Sequence, residues 1–298
     1  MAALICLGIA VRDLVFRVPT LPPRPQKLTA SSLSRRGGGM AATAAAAAAR
    51  LGGTVSFWGR LGDDADGHAL RHELQAMGIR VPAPSIPGTQ TPTAAVLVAD
   101  NGERLLAVFR GQLDESPDWL PLAEVANVQA VHADFRWPAG ARALYAAALA
   151  HGLPRVLDAD VGDPVTVREL LPLVDHAVFS QAGLAEAAGL TEVDAGLARM
   201  RELTPGVVGV TLGEQGCAFL VDGAIHRLPA ISVVASDTNG AGDAFHGAYT
   251  LAQARGLGVI DAVRFATAAA ALKCRNGSGW TAVPDATSVD QLLKETTW

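Results

Sequence analysis

At 298 residues, half of them apolar and 18% charged, the chain can bury a sizeable core and is too weakly charged for an extended disordered architecture. Its formal net charge of −5 argues against sequence-independent nucleic-acid binding and leaves room only for local basic pockets. Cys6, Cys217 and Cys274 have neither paired metal-ligand spacing nor the density of a disulfide framework, so they read as buried or incidental thiols.

The opening MAALICLGIAVRDL lacks a basic leader and soon reaches Arg12 and Asp13. It predicts a buried strand over 3–10 rather than a secretory signal. No apolar run has membrane-spanning length, so the expectation is a soluble cytoplasmic protein with no membrane and no nucleic-acid partner. PTLPPRP, at 19–25, interrupts any helix. GGGMAATAAAAAARLGG then predicts an alanine-rich helix that stops at Gly52 and Gly53, and GRLGDDADGHALRHELQAMGI a turn and a second helix. TPTAAVLVAD and GERLLAVFR flank Asn101-Gly102, a hairpin signal. Segments 11–36 and 91–112 are expected to form a small discontinuous sheet over a pocket, within one domain spanning 1–298. Strands are predicted at 128–133, 155–159, 177–180 and 207–212, separated by helix-compatible stretches. That alternation predicts a mostly parallel α/β sheet with helices on its faces. Helices over 243–253 and 259–274 complete the pattern.

In SDTNGAGDAFHG, Gly240, Ala241 and Gly242 lead into a helix whose first turn carries Asp243. Exposed amides at a helix start stabilise transferring phosphate oxygens. By spacing alone, Asp243 is equally a helix cap and a base. His68 and His246 read as structural, because neither has an evident proton-transfer partner. Asp158 and Asp160 lie at a strand end, where loop solvation and a site role are both open.

The succession of Gly8, Asp13, GGGMAATAAAAAARLGG, TLGEQG and DTNGAGDAFHGA resembles the ribokinase, or PfkB, family of carbohydrate kinases from Ala3 to about Asp290. The resemblance implies a ribokinase-like three-layer α/β sandwich with a small β-sheet lid, transferring phosphate from magnesium ATP to a sugar-like alcohol. It makes Asp243 the base, and Gly240, Ala241 and Gly242 the anion hole. Asp13 and Gly39 fall at the sugar site, with Thr43 where many relatives have asparagine. Thr211, Gly213 and Gly216 of TLGEQG fall beside ATP, and Asn276 and Gly277 resemble the nucleotide-side loop. A potassium site near Asp237 is left open, a turn role there being physically sufficient. The Asn-x-x-Glu stretch by which many relatives organise magnesium is replaced by Ser180-Gln181-Ala182-Gly183, so no metal ligand is assigned.

GGGMAAT, ADFRWP, LDAD, FSQAGL and RFATAAAALKC make the chain look most like the bacterial sulfofructose kinases of this family. That likeness implies Lys27 and Arg136 as sulfonate contacts and 6-deoxy-6-sulfofructose phosphorylated at its 1-hydroxyl. Val108 stands where an asparagine is expected to assist and has no hydrogen bond to give. Fructose, another ketohexose or ribose is the alternative acceptor. A catalytically weak sugar-binding regulator is the rival of another class, without any added DNA-binding element. Relatives that pair through their lids imply a homodimer.

Overall fold

The computed structural model describes residues 1–298. The chain forms β1 (Ala3–Ile9), β2 (Val11–Val18), β3 (Ser32–Gly38), α1 (Met40–Arg50), β4 (Thr54–Arg60), α2 (Ala65–Ala76), β5 (Thr93–Ala99) and β6 (Arg104–Phe109). It continues with β7 (Ala130–Asp134), α3 (Pro138–Ala150), β8 (Arg155–Ala159), α4 (Pro164–Leu170), β9 (His176–Ser180), α5 (Gln181–Ala188), α6 (Val193–Arg201) and β10 (Val207–Thr211). The final elements are β11 (Cys217–Val221), β12 (Ala224–Leu228), α7 (Ala241–Ala254), α8 (Val259–Asn276) and α9 (Ala286–Glu295). No helix is long and apolar enough to cross a membrane.

Eight strands make the central sheet in the order β12-β11-β10-β9-β8-β7-β1-β4. The pairings from β10 through to β4 are parallel, and β11 and β12 add an antiparallel edge. β7 and β8 are buried at every position, as strands covered on both faces must be. One face packs on α1, α7 and α8, the other on the layer containing α3 and α5. The result is the α/β sandwich expected.

The alanine tract explains how tightly the first layer closes. Residues 40–48 of α1 are all buried, and a Cβ placed on Gly247 of α7 would lie 2.2 Å from the carbonyl oxygen of Ala44. Two helices approach this closely only where side chains are nearly absent. Alanine supplies that small size together with strong helix propensity.

The second sheet, ordered β3-β2-β5-β6, comes from two excursions out of the core. β2 pairs antiparallel with β3 and parallel with β5, joining segments far apart in sequence. The β5–β6 connection is a hairpin in which Ala99 donates to Glu103 O and Gly102 donates back to Ala99 O, each at 2.9 Å. Gly102 takes φ 86°, so Asn101-Gly102 serves a three-residue loop rather than a two-residue turn.

Candidate active site

β7, β9 and β10 end in a polar residue, Asp134, Ser180 and Thr211, and β8 ends one residue after Asp158. Ligands of open α/β sheets bind beyond the carboxyl ends of the strands, and two cavities open there. The first, of about 430 Å³, lies between the core and the second sheet, which therefore forms a lid. The second, of about 740 Å³, lies between TLGEQG, 230–241 and α8. Thr211 and Gly242 line both and mark the seam between them.

At that seam α7 begins. Gly240 takes the left-handed conformation at its N-terminus (φ 74°, ψ 12°), a turn that glycine makes without strain. Ala241 N–H donates to Thr238 O, whereas the amides of Gly240, Gly242 and Asp243 have no acceptor within the protein. Asp243 sits in the first turn, on the wall of the first cavity. Burial raises its pKa well above the carboxylate range, and the nearby charge of Asp158 raises it further. Such a group holds a proton more strongly than an exposed aspartate, as a proton acceptor should.

Behind it, Asp158 is fully buried and its pKa too is raised well above the usual range, by burial and by Asp160 and Asp134. His246, on α7, brings Nδ1 to 2.8 Å from Gly242 O and 3.2 Å from Asp158 Oδ2, with Nε2 3.2 Å from Val178 O. Burial depresses its pKa. The ring thus fastens the first turn of α7 to β8 and β9, in keeping with a structural role.

Asp13 enters from the lid, paired in register with Arg36 and Ala94. Burial raises its pKa to about 6, against the opposing charges of Arg12 and Arg36. The neighbouring glycines are needed sterically. A Cβ on Gly38 would lie 2.4 Å from Asp13 Oδ2, and one on Gly39, at φ 94°, would lie 2.5 Å from Ile9 O. Thr43 lines the same cavity, and its hydroxyl accepts from Trp280 Nε1 at 3.1 Å.

The second cavity has apolar walls, among them Ile231, Val233, Phe245 and Ala270, with Thr211, Gly213 and Gly216 at one side. A flat heterocycle fits such walls, and the volume lies within the range of cofactor sites. Asn276 and Gly277 do not line it. Asn276 donates instead to Ala282 O at 3.2 Å, which fixes the turn after α8.

Lys27 and Arg136, the expected sulfonate contacts, are not among the residues that line the first cavity. Lys27 is exposed in the loop between β2 and β3. Arg136 donates to Val161 O at 2.8 Å and stacks over the Phe135 ring at 4.4 Å. The cations that do line the cavity are Arg17, Arg36, Arg104 and Lys273. Arg104 and Arg36 reach from the lid to Asp237, at 3.0 and 3.9 Å. Burial works against charge on Asp237. The bonds from Ser278 and from Asn239 N–H, with Lys273 and Arg104 nearby, outweigh it and hold the pKa below the usual range.

Sequence reasoning also passed over Asp134. Fully buried, it accepts from Ile9 N at 2.8 Å, Ala41 N at 3.1 Å and Arg136 N at 2.9 Å, tying the end of β1 to the start of α1. A Cβ on Gly8 would collide with its carboxylate. Its signal was available, since a charged residue closes the apolar run VQAVHAD. No group of three or more His, Cys, Asp or Glu side chains converges as a metal cage does.

Two cavities meet at a helix N-terminus, one apolar-walled and one lined with carboxylates, an arrangement suited to group transfer between two molecules. The chain belongs to the pfkB family of carbohydrate kinases, whose pattern matches residues 1–286. It is 27% identical to the ribokinase of Bacillus subtilis over 293 residues, covering 96% of this chain and 98% of that one. It is 31% identical to the fructokinase of Klebsiella pneumoniae over 219 residues, covering 66% and 70%. Arabidopsis thaliana ribokinase, solved with ribose and ATP, superposes with a TM-score of 0.84 at 27% identity, covering 99% of each chain. The protein is thus an ATP-dependent carbohydrate kinase.

Proposed function

We propose that the protein phosphorylates an alcohol group of a neutral sugar, ribose or fructose, with Asp243 as the general base. The observation that carries this reading is the placement of Asp243, beside unpaired amides, at the seam of the two cavities. With the sugar held against Asp13, its hydroxyl lies on the acceptor side and the nucleotide enters from the other. Asp243 takes the hydroxyl proton as the oxygen attacks the terminal phosphorus and the phosphorus bond to the bridging oxygen breaks, with ADP as the leaving group. The amides of Gly240, Gly242 and Asp243 then receive the charge that spreads over the transferring oxygens.

Thr211, Gly213 and Gly216 border the nucleotide. When magnesium is bound with the nucleotide, the chemistry it would supply is neutralisation of the phosphate charge. Asp158 and Asp160, on the cavity wall, are the carboxylates that would face its water shell.

A neutral acceptor is favoured over sulfofructose because ribokinases and a fructokinase are among the relatives. The lid supports a homodimer. β6 is exposed along its whole length and is an uncovered edge strand carrying Leu105, Leu106, Val108 and Phe109.

Purified protein is assayed with magnesium ATP against ribose, fructose, sulfofructose and a nucleoside, and the phosphate position of each product is determined. Ribose or fructose should give the highest kcat/KM. A clear preference for sulfofructose, or transfer confined to nucleosides, would refute the neutral-sugar assignment.

A further inference from the structure

Lys273 stands out among the charged side chains. It projects from α8 with 1% of its surface exposed. Its Nζ donates to Asp237 O at 3.1 Å and also to Asn239 O. These are the carbonyls of the loop that leads directly into Gly240 and the unpaired amides of α7. The same loop is anchored by Ser236 N and Asp237 N, both donating to Cys274 O, and by Ser278 Oγ on Asp237 Oδ2 at 2.5 Å. A buried ammonium is unfavourable unless oxygens replace its water, and here two main-chain carbonyls do so, with the negative charge of Asp237 nearby.

A free potassium ion near Asp237 is the open expectation, and the residues present do not fit one. Such an ion needs a shell of several oxygens, yet the two carbonyls that face this point are already occupied by Nζ. A second positive charge beside a fixed ammonium would be repelled at short range with little water to screen it.

We propose that Lys273 is a tethered monovalent cation. Its ammonium takes the place of a free ion at the Asp237 and Asn239 carbonyls and holds the turn that presents the phosphate-binding amides, so turnover does not depend on potassium. Lys273 is a positioning residue, acting through the loop. The inference rests on the carbohydrate-kinase activity and not on which sugar is accepted.

Turnover of the best acceptor is measured at constant ionic strength in potassium, ammonium, sodium and tetramethylammonium chloride, and melting temperature is recorded in the same salts without sugar. Wild type should show one rate and no potassium-specific melting shift. Lys273→Met should lose about tenfold or more, the scale on which a displaced reacting group slows a reaction. Potassium or ammonium should restore much of the loss and raise its melting temperature, whereas sodium and tetramethylammonium should not. Potassium activation of the wild type, or a folded Lys273→Met that keeps full activity or is rescued by no cation, overturns the proposal. If the variant does not fold, the wild-type rate and melting series decide alone. The melting series needs no acceptor, so failure of the sugar assignment remains distinguishable from failure of this one.

Discussion

The core and the lid are held together by different means. The core sheet lies between apolar clusters of 37 and 30 buried residues, enough to fix Asp243 and the start of α7 with or without substrate. The lid's own cluster is only Val15, Ala94 and Val96, so it must gain burial from a sugar, a second lid or both. The phosphate-binding amides therefore belong to the rigid part. Asp13 belongs to the part whose packing is incomplete, and acceptor choice can vary there without disturbing the rest.

Asp243→Asn tests the core side most severely. The rate of ADP formation should fall by about 10³- to 10⁴-fold, the upper range for losing a general base. Because burial raises the pKa of Asp243, the folded state disfavours its charge, and the neutral amide should increase melting temperature at pH 8. That gain should shrink as the pH falls and the wild-type carboxyl protonates. An Asp243→Asn protein of near-normal activity would remove Asp243 from the chemistry.

On the lid side, Asp13→Asn should lower kcat/KM for the sugar by about 100-fold, since a site built to pair with hydroxyls loses much of its binding when the pairing fails. KM for ATP should barely change. The pKa of about 6 also predicts that wild-type kcat/KM for the sugar declines as pH drops through 6 and Asp13 loses its charge. A flat profile down to pH 5 would contradict this.

A purely structural contrast comes from Gly247→Ala. The added methyl meets Ala44 O, and overpacking of this kind costs about 1–3 kcal/mol, which thermal denaturation should report as a lower melting temperature. Smallest in its effect on turnover, Leu105→Glu with Phe109→Glu should convert a two-chain solution mass to one chain with little loss of kcat. A single-chain mass for the wild type would refute the homodimer.

The core was the more legible half. VLDAD, VFS and GVT were visible as buried strands because a strand covered on both faces is a continuous apolar run, and the register is then set by its neighbours. Asp13, Thr43 and Asp243 were found through motif order, and the structure gathers them around one cavity. Lys27 and Arg136 were implied by the likeness to sulfofructose kinases, and a motif does not reveal where a long charged side chain points. Arg136 turns to a carbonyl and an aromatic ring, while Arg36 and Arg104, unremarkable in sequence, are carried to the cavity by the pairing of distant strands. Lys273 was hidden in the alanine-rich RFATAAAALKC, where it reads as the polar face of a helix. Only the meeting of α8 with the 236–239 loop buries it.

The parallel pairing of β2 with β5 places Asp13 beside Ala94, with all of β3, α1, β4 and α2 intervening in the chain. A contact between such distant segments carries a large loop-closure cost until the intervening core has formed. The acceptor site should consequently be the last part to assemble during folding and the first to open in the native protein. Amide hydrogen exchange should then be faster across β2 and β5 than across β7 and β8, and bound sugar should slow it most in the lid.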